Sequence, residues 1–148
     1  MTTGFTYFLI FVLLVGLGYG VYHFVGKESE TNQTATHIDL GTKGIAISDV
    51  IKGEGKEVKR GDVLTLHYVG KLTNGVQFDS SYDRGAPFSF TLGSGEVIEG
   101  WDQGLEGAQV GTTRRLVIAP ERAYGSAQVG IIPPDSTLIF EITLLSIH

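Results

Sequence analysis

The sequence predicts an α+β fold, in which an antiparallel β-sheet of about five strands curls around one short α-helix, preceded by a single transmembrane helix. Three observations lead to this prediction. Residues 5–25 contain no charged side chain, the chain beyond Gly44 alternates repeatedly between apolar and polar residues, and only one short stretch there has helical spacing. A sheet whose apolar face has one helix to pack against forms a small two-layer domain.

The charge-free segment from Phe5 to Val25 is long enough to cross a bilayer. As a helix it would measure about 31 Å at 1.5 Å per residue, and the hydrocarbon core is about 30 Å thick. The short segment 1–4 has no basic residue, and only Gly18-Tyr19-Gly20 offers small residues for signal-peptidase cleavage. The sequence therefore favours an uncleaved anchor over the alternative, a cleaved signal peptide.

Residues 26–43 form a polar linker between the anchor and the domain at 44–148. The stretch from Lys27 to about Asp39 has almost no residues suited to a core, which is typical of a flexible tether with a span of about 20 Å. Lys27 follows the apolar segment and nothing basic precedes it. Under the positive-inside rule this favours a single-pass protein with its C-terminal domain in the cytoplasm.

Four runs beyond Gly44 have the alternation or the β-branched composition of strands. They are residues 62–71, 76–80, 112–119 and 136–147. In the first run, Leu64, Leu66 and Tyr68 would share one face of the sheet. Asn74-Gly75 is a strong signal for a tight hairpin between the first two runs.

The one predicted helix extends from about Ile98 to Leu105. It places Ile98, Trp101 and Leu105 at positions i, i+3 and i+7, which lie on one face of a helix. This face would cover the apolar side of the sheet.

Composition excludes several classes of function. The net charge is −5 without a lysine or arginine cluster, so a nucleic-acid partner is not expected. The chain has no cysteine, which rules out disulfides and thiol catalysis. Its four histidines show no metal-ligand spacing and no phosphate-binding glycine motif occurs, so neither a metal nor a cofactor is expected.

Six aromatic residues and one aspartate indicate a small binding pocket. They are Tyr68, Phe78, Asp79, Phe88, Trp101, Tyr124 and Phe140. Each stands in a distinctive string, and these strings are 67–70, 78–81, 87–90, 97–101, 123–125 and 130–140. From about Gly44 to the C-terminus this ordered set closely resembles the FKBP family of peptidyl-prolyl cis/trans isomerases, and the resemblance implies the same fold that the element count predicts.

The resemblance also implies an activity and a site. The activity is rotation about X-Pro bonds, and Asp79, Tyr68, Trp101 and Tyr124 would be its catalytic residues. The substrate-binding residues would be Phe78, Arg84, Phe88, Val97, Ile98, Ile131, Ile132 and Phe140. Trp101 would form the floor, and the Ile98 N–H and the Tyr124 hydroxyl would donate hydrogen bonds to substrate carbonyls. Asp79 would either face the twisted carbonyl or hold Tyr68 and Arg84 in place.

Partners and location follow from the same resemblance. Proline-containing polypeptides would be substrates, and the macrolides tacrolimus and rapamycin would be ligands. Many bacterial relatives are exported behind an N-terminal apolar segment, which favours an extracytoplasmic domain, whereas Lys27 favours the cytoplasm. Besides an isomerase that assists folding near a membrane, the alternative is a non-catalytic adaptor that binds proline motifs of a membrane partner.

The chain departs from the best-known human members in one loop. Residues 126–130 are one residue shorter than the corresponding loop, which carries a histidine over the rim of the pocket in those proteins. We expect Gln128 or Val129 to take that place, with an effect on macrolide affinity and on the residue preferred before proline.

Overall fold

The computed structural model describes residues 39–148. In chain order its elements are β1 (Ile45–Ile51), β2 (Val63–Leu72), β3 (Gln77–Ser80), β4 (Phe88–Thr91), α1 (Glu99–Gly104), β5 (Thr113–Ile118), a 3₁₀ turn (Pro120–Arg122) and β6 (Leu138–Ile147). The predicted membrane anchor at 5–25, segment 1–4 and the linker up to residue 38 lie outside the described residues. Within residues 39–148, no helix is long and apolar enough to cross a membrane.

The six strands form one antiparallel sheet in the order β1-β5-β6-β2-β3, with β4 also paired to β2. Strand β2 is the centre of this arrangement. One edge pairs with β6 from Leu64 to Leu72, and the other edge is shared by β4, beside its first half, and β3, beside its second half. The long strand thereby brings residues from β3, β4 and β6 to one region of the sheet.

The four predicted strands are all present, with bounds that differ from prediction by no more than two residues. The Asn74-Gly75 hairpin is confirmed, because the Leu72 N–H donates to the Val76 carbonyl at 2.8 Å directly across the turn. The described sheet has six strands, one more than the predicted number of about five. Strands β1 and β4 have no counterpart among the four predicted runs. The apolar residues of β1 do not alternate with polar ones, and β4 has only four residues without the Asn-Gly turn that marks β3.

Helix α1 lies directly against β5, and two glycines make this close approach possible. A Cβ atom on Gly100 would lie 2.5 Å from a methyl group of Ile118, and one on Gly104 would lie 2.8 Å from Leu116. Both distances are shorter than a real side chain tolerates. Of the predicted helical face, Trp101 and Leu105 are buried, whereas Ile98 is half-buried and is the N-cap residue just before the helix.

Two buried charged residues tie α1 to its neighbours. Arg114 on β5 donates to both carboxylate oxygens of Asp49 on β1, at 2.6 and 3.1 Å, and to the Gly104 carbonyl at the end of α1, at 3.0 Å. On the helix itself, the Asp102 carboxylate accepts from the N–H of Gly93 at 2.7 Å. The helix is therefore fixed to the sheet at its C-terminal end and to the preceding loop through Asp102 in its second half.

The neighbouring leucines of β6 provide a matched test of the core. Leu144 is buried opposite Leu66, whereas 42% of Leu145 is exposed. We expect Leu144→Ala to lower the free energy of unfolding by about 2–5 kcal/mol, because it leaves a cavity in a packed core. Leu145→Ala should change it by about 0.5 kcal/mol or less. Urea denaturation of the two variants measures the difference, and similar losses would contradict the observed direction of the strand's buried face.

Candidate active site

Nine of the twelve predicted site residues line a single cavity of about 180 Å³. They come from four of the six strands, β2, β3, β4 and β6, and from the loop before α1, α1 itself and the loop after the 3₁₀ turn. The lining residues are Tyr68, Phe78, Asp79, Phe88, Glu96, Val97, Ile98, Trp101, Tyr124 and Phe140.

The cavity is built around the ring of Trp101. Tyr68 and Phe140 meet this ring edge-to-face, with centroid distances of 5.0 and 5.2 Å. Phe88 meets it in the same way at 6.2 Å. Aromatic pairs prefer this geometry, and their large rings give the wall a defined shape with few rotatable bonds.

The pairing of β2 with β6 explains why two of these rings come together. Gly70 on β2 lies opposite Phe140 on β6. A Cβ atom at Gly70 would lie 2.7 Å from the ring of Phe78 and 2.9 Å from that of Phe140. Because glycine leaves this space open, the two rings approach each other above β2, with centroids 5.5 Å apart.

Asp79, Tyr68 and Arg84 form a closed hydrogen-bonded network at the edge of the cavity. The Tyr68 hydroxyl donates to Asp79 Oδ2 at 2.5 Å, and Arg84 donates to the Tyr68 hydroxyl at 2.7 Å. Arg84 also forms an ion pair with Asp79 Oδ1. Of the two arrangements expected for Asp79, the structure has the one in which it holds Tyr68 and Arg84 in place.

This network keeps each acidic group in its ordinary protonation state at neutral pH. Burial raises the pKa of Asp79, but the hydrogen bonds from Tyr68 and Arg84 outweigh it, so the pKa lies below its ordinary value of 3.8. Burial raises the pKa of Tyr68, as does its hydrogen bond to Asp79. Burial also raises the pKa of Tyr124, with a further contribution from the charge of Asp79. None of the three groups has a pKa that would let it exchange a proton near neutral pH.

Trp101 contributes an unsatisfied hydrogen-bond donor. Its side chain is 4% exposed, and within residues 39–148 its Nε1 is the one buried side-chain nitrogen or oxygen without a hydrogen-bond partner. A buried donor left unpaired costs about 1–3 kcal/mol. Such exceptions are few in native structures, and a catalytic or binding role is one of the explanations for them.

Ile131 and Ile132 lie beside this cavity rather than in it. They line an adjoining cavity of about 380 Å³, which shares Phe78, Asp79 and Tyr124 with the first. Val129 also lines the second cavity, whereas Gln128 does not. Of the two residues expected at the shortened rim, Val129 is therefore the one that lines the cavity beside the site.

Sequence reasoning missed two residues of the site. Glu96 lines the cavity, and its position directly before the recognised string at 97–101 was the available signal. Asp102 lies behind the site, where its carboxylate accepts from Gly93 and Gly95 at 2.7 and 3.3 Å and so holds the loop that carries Glu96, Val97 and Ile98. Nothing local marks Asp102, because its partners are brought to it by the fold.

A third cavity, of about 390 Å³, is lined by other residues of β2, β5 and β6. Its lining includes Lys71, Arg115 and Glu141 but no aromatic residue. The aromatic cavity is smaller, yet it combines a packed ring floor, a charged network and an unpaired buried donor. These features make it the better candidate for an active site.

Comparison with known proteins gives the same assignment. Residues 54–145 match the family model of FKBP-type peptidyl-prolyl cis-trans isomerases. The chain belongs to this family. FK506-binding protein 1A of Neurospora crassa is 53% identical to this FKBP over 106 residues, which cover 70% of the chain and 88% of the relative.

Further relatives extend the comparison to bacteria and to solved structures. The FK506-binding protein of Neisseria meningitidis is 48% identical over 106 residues, covering 71% of this chain and 97% of the relative. The crystal structure of AtFKBP13 superposes with a TM-score of 0.68 at 44% identity, covering 71% of this chain and 94% of that chain. The enzyme class of this FKBP is peptidyl-prolyl cis-trans isomerase.

The Asp79 network predicts how the site responds to pH. Because the pKa of Asp79 is depressed, its ion pair is complete above the ordinary value of 3.8 and is lost as pH falls through the lower value of the folded protein. We expect Arg84→Met to raise this pKa, since it removes a cation and hydrogen-bond donors. Carboxyl-carbon NMR of Asp79 measures it, with Arg60→Met as the control. A wild-type Asp79 that titrates at or above 3.8 would contradict the network.

Proposed function

We propose that this FKBP accelerates X-Pro rotation in protein substrates by binding the twisted peptide bond without covalent chemistry. The planar amide opposes rotation with a barrier of about 18–20 kcal/mol, and the uncatalysed reaction takes tens to hundreds of seconds. No bond breaks, so a site that binds the twisted form more tightly than either planar form is sufficient for catalysis.

The aromatic cavity is the observation on which this proposal depends. A twisted amide has lost conjugation and is less polar than the planar amide. It is therefore favoured where water is excluded. Trp101, Phe88 and Phe140 line such an environment, with room for a proline ring against the indole. If the cavity lowered the barrier by about 8 kcal/mol, the reaction would accelerate roughly a millionfold.

Polar groups at the cavity edge would orient the substrate backbone. The Ile98 N–H lies just before the first turn of α1, where backbone N–H groups have no partner within the helix. With the Tyr124 hydroxyl it would donate hydrogen bonds to substrate carbonyls. Asp79 would act by fixing Tyr68 and Arg84, and not as a general base, because rotation requires no proton transfer.

The macrolides tacrolimus and rapamycin are proposed ligands of the same cavity. Two relatives, from Neurospora crassa and Neisseria meningitidis, are named for binding FK506. The aromatic lining that would hold a proline ring also suits an apolar macrolide ring.

Catalysis is tested with a Leu-Pro peptide and a fragment of residues 39–148. We expect the fragment to accelerate isomerisation, and the double variant Trp101→Ala/Asp79→Ala to lose about 100-fold or more, because a loss of about 3 kcal/mol of transition-state binding has that effect. NMR exchange spectroscopy measures the rate.

Calorimetry with tacrolimus should show binding to the wild type and none to the double variant.

Two control variants distinguish a loss of activity caused by the site from one caused by a loss of folding. Trp101→Phe keeps a ring in the core. Asp83→Ala removes an exposed carboxylate from the turn that follows β3, the strand of Asp79, and should retain the wild-type rate. A folded wild-type fragment that does not accelerate isomerisation would refute the enzyme proposal and favour the adaptor alternative. No heat with tacrolimus at tens of micromolar would refute macrolide binding.

We further propose that residues 5–25 anchor this FKBP in a membrane, where it assists the folding of nearby proteins. The support is the length and charge-free composition of this segment. The polar linker that follows would keep the isomerase domain within about 20 Å of the bilayer surface. Lys27 favours a domain on the cytoplasmic side, whereas the export of many bacterial relatives favours the extracytoplasmic side.

Membrane attachment is tested by fractionating cells that express the full chain. We expect it to remain in the membrane pellet after carbonate washing, since a charge-free, largely apolar segment of 21 residues resists such extraction. The fragment 39–148 should be found in the supernatant. Protease added to intact and to opened cells then reports the side. Release of the full chain by carbonate would refute an integral anchor.

A further inference from the structure

Glu96 is the one charged residue besides Asp79 among the residues that line the aromatic cavity. Its side chain is exposed at the cavity rim. One carboxylate oxygen, Oε1, accepts from the Ser94 hydroxyl at 2.7 Å and from the Thr91 N–H at 3.4 Å. Within residues 39–148, the other oxygen, Oε2, forms no hydrogen bond of ordinary length, although the Thr91 side chain lies close enough to help lower the pKa of the carboxylate. Half of the carboxylate is thus held by the loop and half is available.

The neighbouring charges of the site are neutralised, whereas that of Glu96 is not. Asp79 is paired with Arg84, and Glu99, at the start of α1, is paired with Arg122. None of the ion pairs formed within residues 39–148 includes Glu96. The hydrogen bond from Ser94 holds the pKa of Glu96 below its ordinary value of 4.5, so the carboxylate is ionised at neutral pH. The cavity therefore presents one uncompensated negative charge.

We propose that Glu96 selects substrates with a lysine or arginine close to the proline. This inference rests on the proposed function, because the proline ring must occupy the aromatic cavity for its neighbours to pass the rim. A cationic side chain there would meet the free Oε2, gain a charge-assisted hydrogen bond and neutralise the remaining charge. An acidic residue at the same place would be disfavoured.

A purely local role for Glu96 is distinguishable from selection by charge. The carboxylate also supports the turn at residues 91–96, through Ser94 and Thr91. Glu96→Gln keeps an oxygen acceptor for both of these donors and removes only the charge. A change in charge preference in this variant therefore reports the charge and not the turn.

The experiment measures the affinity of the full chain, in a non-ionic detergent, for peptides that contain one Leu-Pro pair. Lys, Gln or Glu is placed in turn before leucine, in place of leucine and after proline. Trp101 is the only tryptophan of the chain, so its fluorescence reports binding at the cavity floor. Rates of isomerisation are measured on the same peptides.

We expect the lysine peptide to bind about two- to fivefold more tightly than the glutamine peptide in at least one placement, and the glutamate peptide more weakly, as for a single exposed ion pair. The preference should fade in 1 M salt, where the screening length is about 3 Å. It should be lost in Glu96→Gln. The control Glu106→Gln, which removes an exposed carboxylate that does not line the cavity, should retain it.

Equal affinities for the three peptides in every placement would overturn the proposal, as would a lysine preference that persists in Glu96→Gln. The two readouts separate this inference from the proposed function. Isomerisation without charge preference would refute the role of Glu96 and leave the enzyme proposal intact. Preferential binding of lysine peptides without acceleration would establish the selectivity and refute catalysis.

Discussion

The packing of aromatic rings around Trp101 is the constraint on which both the core and the site depend. The indole belongs to the buried cluster that contains Leu64, Leu66 and Leu116, and it also lines the cavity in which a proline ring is proposed to bind. Interiors are close-packed, so a ring cannot move without displacing its neighbours. The shape of the cavity is consequently as rigid as the core, which suits a site whose work is to distinguish a twisted bond from a planar one.

The charges of the site are arranged around this apolar centre. The Asp79–Arg84 pair and the Tyr68 hydroxyl satisfy one another at its edge, so they can lie beside an aromatic cavity without an unpaired charge. Proton chemistry has no role in rotation about a peptide bond, and the pKa directions of the three acidic groups agree with that. Glu96 is different, because its charge has no partner within the described residues. The aromatic rings define the shape of the cavity, whereas Glu96 is proposed to distinguish substrates by the charge near their proline.

Several features followed from local sequence alone. Alternation and the Asn74-Gly75 turn predicted β2 and β3, and the spacing of Ile98, Trp101 and Leu105 predicted α1, because each signal resides in consecutive residues. The resemblance then supplied the nine predicted residues that line the cavity. Strands β1 and β4 were not predicted, since β1 lacks alternation and β4 is four residues long with no Asn-Gly turn beside it. Asp102 was missed because its partners, Gly93 and Gly95, are not in its own turn but are brought to it by the fold.

The sequence by itself determined the types and approximate bounds of the main elements, since these depend on short-range pattern. It also determined the family and most residues of the site, since these depend on ordered motifs. Only the tertiary structure decided how the residues meet. The register of β2 against β6 places Gly70 opposite Phe140, and Val129 rather than Gln128 reaches the rim. Among residues 39–148 it also pairs Asp79 and Glu99 with arginines and leaves Glu96 without an ion pair. Ring contacts and ion pairs join residues distant in sequence, so no local pattern encodes them.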